Sequence, residues 1–89
     1  MDKISVTRAT PQEIQKLGAT QWPIWTCGVS TFDWHYDEPE TCVILEGQVT
    51  VKSANQQVQF SAGDLVVFPR GMDCTWCVTA PVKKHYKFG

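Results

Sequence analysis

The 89-residue sequence predicts an all-β protein, a single antiparallel β-barrel with a short N-terminal helix. Two observations carry that prediction. From Trp22 onward, short runs alternate apolar and polar residues and are broken by turn residues at intervals of about 8–12, the spacing of a sandwich or barrel. Glycines stand at Gly28, Gly47, Gly63 and Gly71, where turns or bulges need a backbone free of a side chain. A hydrophobic content of 43 % suits one packed core, and the length admits one domain and not two.

The elements follow in order. Ile4 and Val6 alternate and read as an N-terminal strand available for pairing with a second copy. Thr10 caps a helix, Pro11 takes its first position, Glu13 completes a capping box and Gly18 ends it. Ile14 and Leu17 share a face that would dock this helix on the body. Strand character begins at Trp22 and Ile24. Phe32, Trp34 and Tyr36 alternate with Asp33 and His35, and Asp37-Glu38-Pro39 turns. Glu40 to Leu45 is a strand, Glu46-Gly47 a hairpin turn and Gln48 to Ser53 the next strand. Val58 and Phe60 alternate, Leu65 to Phe68 is buried, and Pro69-Arg70-Gly71 breaks the run. Cys74 to Thr79 and Val82 to Phe88 close the chain. Residues 1–20 form an N-terminal strand and helix, and residues 21–89 the barrel, within a single domain.

Charge excludes some functions. A net charge of −1 gives no footprint for nucleic acid. The run Cys42-Val43-Ile44-Leu45 is far too short to span a bilayer, and Met1 to Val6 holds no apolar signal core. The expected location is the cytoplasm, with Cys27, Cys42, Cys74 and Cys77 reduced. Cys74 and Cys77 form a C-x-x-C pattern, but three positions apart on a strand they face opposite ways and do not converge on one metal.

Two glycine-anchored blocks carry the family signal. The first runs Gly28, five residues, Trp34-His35-Tyr36, three residues, Glu40, six residues, Gly47. The second runs Gly63-Asp64-Leu65-Val66-Val67-Phe68-Pro69-Arg70-Gly71, two residues, Cys74. This resembles the two-motif signature of the cupin superfamily, whose fold is a double-stranded β-helix or jelly roll. Trp22-Pro23-Ile24-Trp25, the Glu40 to Gly47 run and the closing Pro81 to Tyr86 are similar to small single-domain cupins grouped with ureidoglycine aminohydrolase and ethanolamine-utilisation proteins. The resemblance implies a metal held by two histidines of the first motif, its glutamate and a histidine of the second. Here those positions hold Trp34, Tyr36, Glu40 and Cys74, so the site is degenerate and no metal cofactor is expected. The alternative is a divalent or soft metal at Glu40 and Cys74.

The cupin register points Trp34, Tyr36, Glu40, Cys42, Cys74 and Trp76 into the barrel and leaves His35 outside. Glu40 and Tyr36 are the candidate catalytic pair, since an enclosed carboxyl and a phenol suit proton transfer. The same positions also read as a core glutamate satisfied by a core tyrosine. Trp34, Trp76, Cys42, Cys74 and His85 are the ligand-binding candidates. Lys83, Lys84 and Lys87 read as a solvated edge strand, or else Lys84 or His85 reaches the barrel mouth and meets an anionic ligand. The function these residues support is binding or converting a small polar metabolite inside the barrel. The alternative is a non-catalytic dimeric accessory module with a filled barrel. A homodimer is an expected partner state, and nucleic acid and membrane are not expected partners.

Overall fold

The computed structural model describes residues 3–89. The part of the N-terminal signal reading that rests on Met1 and Asp2 lies outside the described residues. The described residues form seven strands and one α-helix: β1 (Ser5–Arg8), α1 (Pro11–Leu17), a single 3₁₀ turn (Ala19–Gln21), β2 (Ile24–Cys27), β3 (Ser30–His35), β4 (Glu40–Ser53), β5 (Gln57–Ser61), β6 (Asp64–Phe68) and β7 (Asp73–Phe88). All pairings between strands are antiparallel. The architecture is the jelly-roll barrel that the sequence predicts.

Two long strands are shared by both sheets of the barrel. The first half of β4 lies between β6 and the second half of β7, and β1 and β2 complete that sheet. The second half of β4 lies between β5 and the first half of β7, with β3 at the far side. One apolar cluster fills the space between the two sheets, built around Ile44, Val51, Phe60, Phe68, Trp76 and Val82.

The joint between the sheets corrects the reading of Glu46-Gly47 as a hairpin turn. β4 runs through it without reversing. The pairing with β7 instead shifts register between Ile44 and Val49. That shift changes which residues face the core. Cys42 and Ile44 are buried before the joint and Val49 and Val51 after it, while β7 buries Cys74, Trp76, Val78, Val82 and Lys84 throughout. A β-bulge does this, because an unmatched residue reverses the in–out alternation on one strand only. Gly47 permits it. Its φ is +99°, and a Cβ there would strike the Pro81 carbonyl and lie 2.7 Å from Val82 Cα. The same bulge lets β7 pass Pro81 unbroken, where the sequence suggested two strands.

Helix α1 forms for the predicted reasons. Thr10 Oγ1 accepts from the Glu13 amide at 3.1 Å, Glu13 Oε1 accepts from the Thr10 amide at 3.2 Å, and Gly18 ends the helix in the left-handed region. Its docking differs from the expectation. No helix residue is buried, and Leu17 is 47 % exposed. Seven residues make too short a helix to hold by propensity, so the caps carry much of its stability. The N-terminal strand also finds its partner within the chain: β1 pairs with β6, from Ser5 opposite Val67 to Arg8 opposite Asp64.

Candidate functional site

At one end the core opens into a cavity of about 220 Å³. Its walls are Trp25, Phe32, Trp34, Tyr36, Trp76, Tyr86 and Phe88, and its polar groups are Glu40 and Lys84. The strand register explains the division. Glu40 opens β4 opposite Phe88, Cys42 faces Tyr86 and Ile44 faces Lys84, so all six side chains share the inner face of the first sheet. The second sheet contributes Phe32 opposite Trp76 and Trp34 opposite Cys74.

Glu40 is 2 % exposed and both of its oxygens are engaged. Tyr36 Oη donates to Oε1 at 2.8 Å, and Lys84 Nζ donates to Oε2 at 2.7 Å. The ammonium also stands over the rings of Trp76 and Trp25, 4.5 and 4.8 Å from their centroids, and 6.0 Å from Tyr86. Aromatic faces attract a cation through their quadrupole, more so where water is excluded. A buried ion pair with one bond each way would be poorly compensated. Here the phenol completes the carboxylate and the rings complete the ammonium. Tyr36 is fixed in turn by its ring, stacked on Phe68 at 4.8 Å, and by its backbone, bonded to Met72 and Gly71. Burial raises the Tyr36 pKa above its ordinary value, and the Glu40 charge and hydrogen bond add to that. The phenol is therefore held as a donor.

The predicted residues fall into three groups. Tyr36, Glu40, Trp76 and Trp34 meet at the cavity as the register required, and His35 lies outside, its Nδ1 2.7 Å from the Asp73 carboxylate. Trp34 departs from its expected burial. It is 48 % exposed and forms the rim, because among the described residues β3 pairs only with β7 and is an edge strand there. Cys42 and Cys74 are buried but outside the cavity lining. Burial pushes the Cys42 thiol up to about 12, against the pull of the Lys84 charge. Burial likewise pushes the Cys74 thiol up to about 11. The Trp76 indole N–H lies near the Cys74 thiol without bonding it. Among the described residues this N–H is a buried side-chain donor with no partner. All four cysteines are free, and Cys77 lies on the opposite face of β7 from Cys74.

His85 faces away from the cavity and its Nδ1 sits 2.9 Å from the Trp22 carbonyl oxygen. Lys84 is the residue that enters. The edge-strand reading of this segment is corrected, since β7 is flanked by β4 on one side and by β2 and β3 on the other. Trp25, Phe32, Tyr86 and Phe88 were not singled out from sequence. The signal was present: Cys74, Trp76 and Val78 set an even-numbered inner face that Lys84, Tyr86 and Phe88 continue. Pro81 hid it by suggesting a break.

Among the described residues no three His, Cys, Asp or Glu side chains come together to hold a metal ion. The site does not fit one. Its carboxylate is filled by a phenol and an ammonium, its buried thiols are protonated and lie outside the cavity lining, and an indole offers no lone pair to a metal. No helix among the described residues is long and apolar enough to cross a membrane.

Residues 14–86 match the model of the EutQ-like cupin domain. Among solved structures, a DUF861 family protein from Thermotoga maritima is 43 % identical, with a TM-score of 0.95 over 98 % of this chain and 100 % of that one. The Clostridium difficile EutQ protein, 22 % identical, matches with a TM-score of 0.68 over 73 % of this chain and 52 % of its own. A putative ethanolamine utilization protein Q from Salmonella typhimurium matches with a TM-score of 0.67 and 22 % identity, over 73 % and 53 %. The chain thus spans the whole of the first of these proteins and about half of the other two. No curated protein matches the sequence. With the jelly roll, the two glycine-anchored motifs and the family model in agreement, the chain belongs to the EutQ-like cupin domain family.

Proposed function

We propose that the barrel binds and converts a small, flat, polar metabolite, using the Lys84–Glu40–Tyr36 network in place of a metal. The observation that carries this reading is the ion pair at the floor of an aromatic cavity. The carboxylate at the family's glutamate ligand position holds an ammonium, so the positive charge that orients a substrate oxygen comes from the chain itself. A volume of about 220 Å³ falls below the range of about 300–1,000 Å³ usual for drug-sized ligands, which limits the ligand to a small one. Walls from Trp25, Phe32, Trp34 and Trp76 favour a planar, unsaturated body. Its anionic or carbonyl oxygen would take the Lys84 ammonium. Glu40 would move the proton and the Tyr36 hydroxyl would donate a hydrogen bond.

Benzoate tests the reading. Saturable quenching of tryptophan fluorescence is expected, weakened at least about tenfold in Lys84→Met, the loss of about 1.4 kcal/mol of binding. Quenching that is absent, or equal in the variant, would overturn it. Binding of metabolite-like acids with no turnover of any would favour the accessory-module alternative.

Placement near ureidoglycine aminohydrolase is proposed for the branch and not for the reaction, because the residues present do not fit that enzyme's metal. We also propose the cytoplasm as the location, supported by four unpaired thiols. Nucleic acid and membrane remain outside the proposed partners. A homodimer through the outer edge of β1 is proposed, since among the described residues that strand pairs only with β6. Light scattering that gives a monomer at micromolar concentration would remove it.

A further inference from the structure

From the cavity geometry we propose that Lys84 is a nucleophile that forms an imine with a small aromatic or conjugated aldehyde or ketone. This rests on the reading above and names the substrate class of that site. Three observations converge. Lys84 is the lysine that lines the cavity, 5 % exposed and enclosed by aromatic rings. Its Nζ is 2.7 Å from a carboxylate oxygen, so a proton acceptor is already in contact. The space beside it is walled by rings and suits an unsaturated carbonyl compound. A desolvated lysine in an apolar pocket is the setting in which an amine serves carbonyl chemistry.

The step balances within the site. The Lys84 ammonium gives one proton to Glu40, leaving a neutral amine and a neutral carboxyl. The nitrogen lone pair forms a bond to the carbonyl carbon, and the C=O π pair moves to oxygen. A second proton passes from nitrogen to that oxygen, giving a carbinolamine. The Glu40 carboxyl protonates the hydroxyl as the C–O bond breaks, and one water leaves. The products are a protonated imine, water and the restored Glu40 carboxylate, with total charge unchanged and no oxidant or reductant involved. The iminium keeps the positive charge where the ammonium had it. The carboxylate and the faces of Trp25 and Trp76 that stabilise the resting lysine therefore stabilise the product too. The Tyr36 hydroxyl holds the other carboxylate oxygen and fixes the direction in which Glu40 faces Nζ.

The experiment traps the imine in the full chain. Protein at neutral pH is incubated with benzaldehyde, reduced with sodium cyanoborohydride and digested, and benzylated lysines are quantified by mass spectrometry. Lys84 is expected to be modified about a hundred-fold faster than its neighbours Lys83 and Lys87, the lower end of what a positioned acid–base group supplies. Glu40→Gln, checked for folding by near-ultraviolet circular dichroism, is expected to remove most of that advantage. Unreactive benzyl alcohol, followed by tryptophan fluorescence, reports cavity binding separately. If benzyl alcohol binds and Lys84 reacts no faster than Lys83 and Lys87, the imine is overturned and the binding reading stands. If benzyl alcohol does not bind and Lys84 is not preferred, both fall. Undiminished Lys84 reaction in Glu40→Gln would overturn the proton path and with it the proposal. Should that variant not fold, the ratio of Lys84 to Lys83 labelling in the unmodified protein decides alone.

Discussion

The two sheets of the barrel share β4 and β7, yet they meet the cavity with different chemistry. The sheet built on the start of β4 and the end of β7 supplies both charges, Glu40 and Lys84. The sheet built on β3 and the start of β7 supplies rings, with Phe32 stacked on Trp76 at 6.0 Å and Trp34 at the rim. The first sheet also brings Trp25, Tyr86 and Phe88, so the two differ in that the second supplies rings and neither of the two charges. A buried ammonium needs more than one carboxylate to offset desolvation, and Trp25 and Tyr86 of its own sheet with Trp76 of the other provide the rest. The same long strands can serve both roles because the bulge at Gly47 reverses the inner face of β4 between them.

The joint is where the comparison breaks most easily. Gly47→Ala forces a Cβ against the Pro81 and Val82 backbone at a positive φ, and should lower stability by more than about 4 kcal/mol, among the largest single-residue effects. Gly18→Ala, also at positive φ but with nothing within 4 Å, should lose only about 1–2 kcal/mol. Urea denaturation of the two variants separates steric conflict from backbone strain. Equal losses would mean that the close approach at Pro81 does not define the joint.

The charged sheet is tested next. Lys84→Met leaves Glu40 buried beside a single phenol and should cost about 3–5 kcal/mol. Pairing it with Glu40→Leu should recover most of that loss, since apolar replacement of a whole buried pair is close to neutral. A double variant as unstable as Lys84→Met would mean that the rings around Lys84, Trp76 of the opposite sheet among them, need the cation. On that sheet, Trp76→Ala should cost about 3–5 kcal/mol and Trp34→Ala well under half of that, because Trp76 is 2 % exposed and Trp34 is not buried. Thermal unfolding reads both. Tyr36→Phe should lie between them at about 1–3 kcal/mol, the range for removing one hydrogen bond to a buried carboxylate.

The last test concerns pH. Folding raises the Cys42 and Cys74 thiols from 9.0 to about 12 and about 11. Below pH 9 both folded and unfolded chains keep these protons, and the contribution to stability is intact. Above it the unfolded chain releases protons that the folded chain retains, so stability falls as pH rises toward the folded values. Cys42→Ala should therefore show a shallower decline in urea midpoint between pH 9 and 11 than the unsubstituted protein. An unchanged slope would mean that the buried thiol does not couple to folding.

Much of this was legible in the sequence, and the losses have definite causes. The helix was readable down to its caps because Thr10, Pro11, Glu13 and Gly18 act locally. Tyr36 and Glu40 were readable because alternation sets the face of each strand and the cupin resemblance supplies the register that turns both faces inward. Lys84 was named only as an alternative, since its partner lies 44 residues away and a run of Lys83, Lys84 and Lys87 looks solvated when read alone. The exposure of Trp34 was not readable, because it depends on which strand lacks a second neighbour.

The sequence by itself therefore determined the class of fold, the helix and the residues that alternate inward along each short strand. These follow from local backbone chemistry and from which side chains avoid water. Tertiary structure alone decided that β4 and β7 run unbroken through Gly47 and Pro81, and that their faces exchange at a bulge. It also decided that a lysine completes the glutamate. Those outcomes depend on register between strands far apart in the chain, where one residue of slip sends a side chain to solvent or to the core.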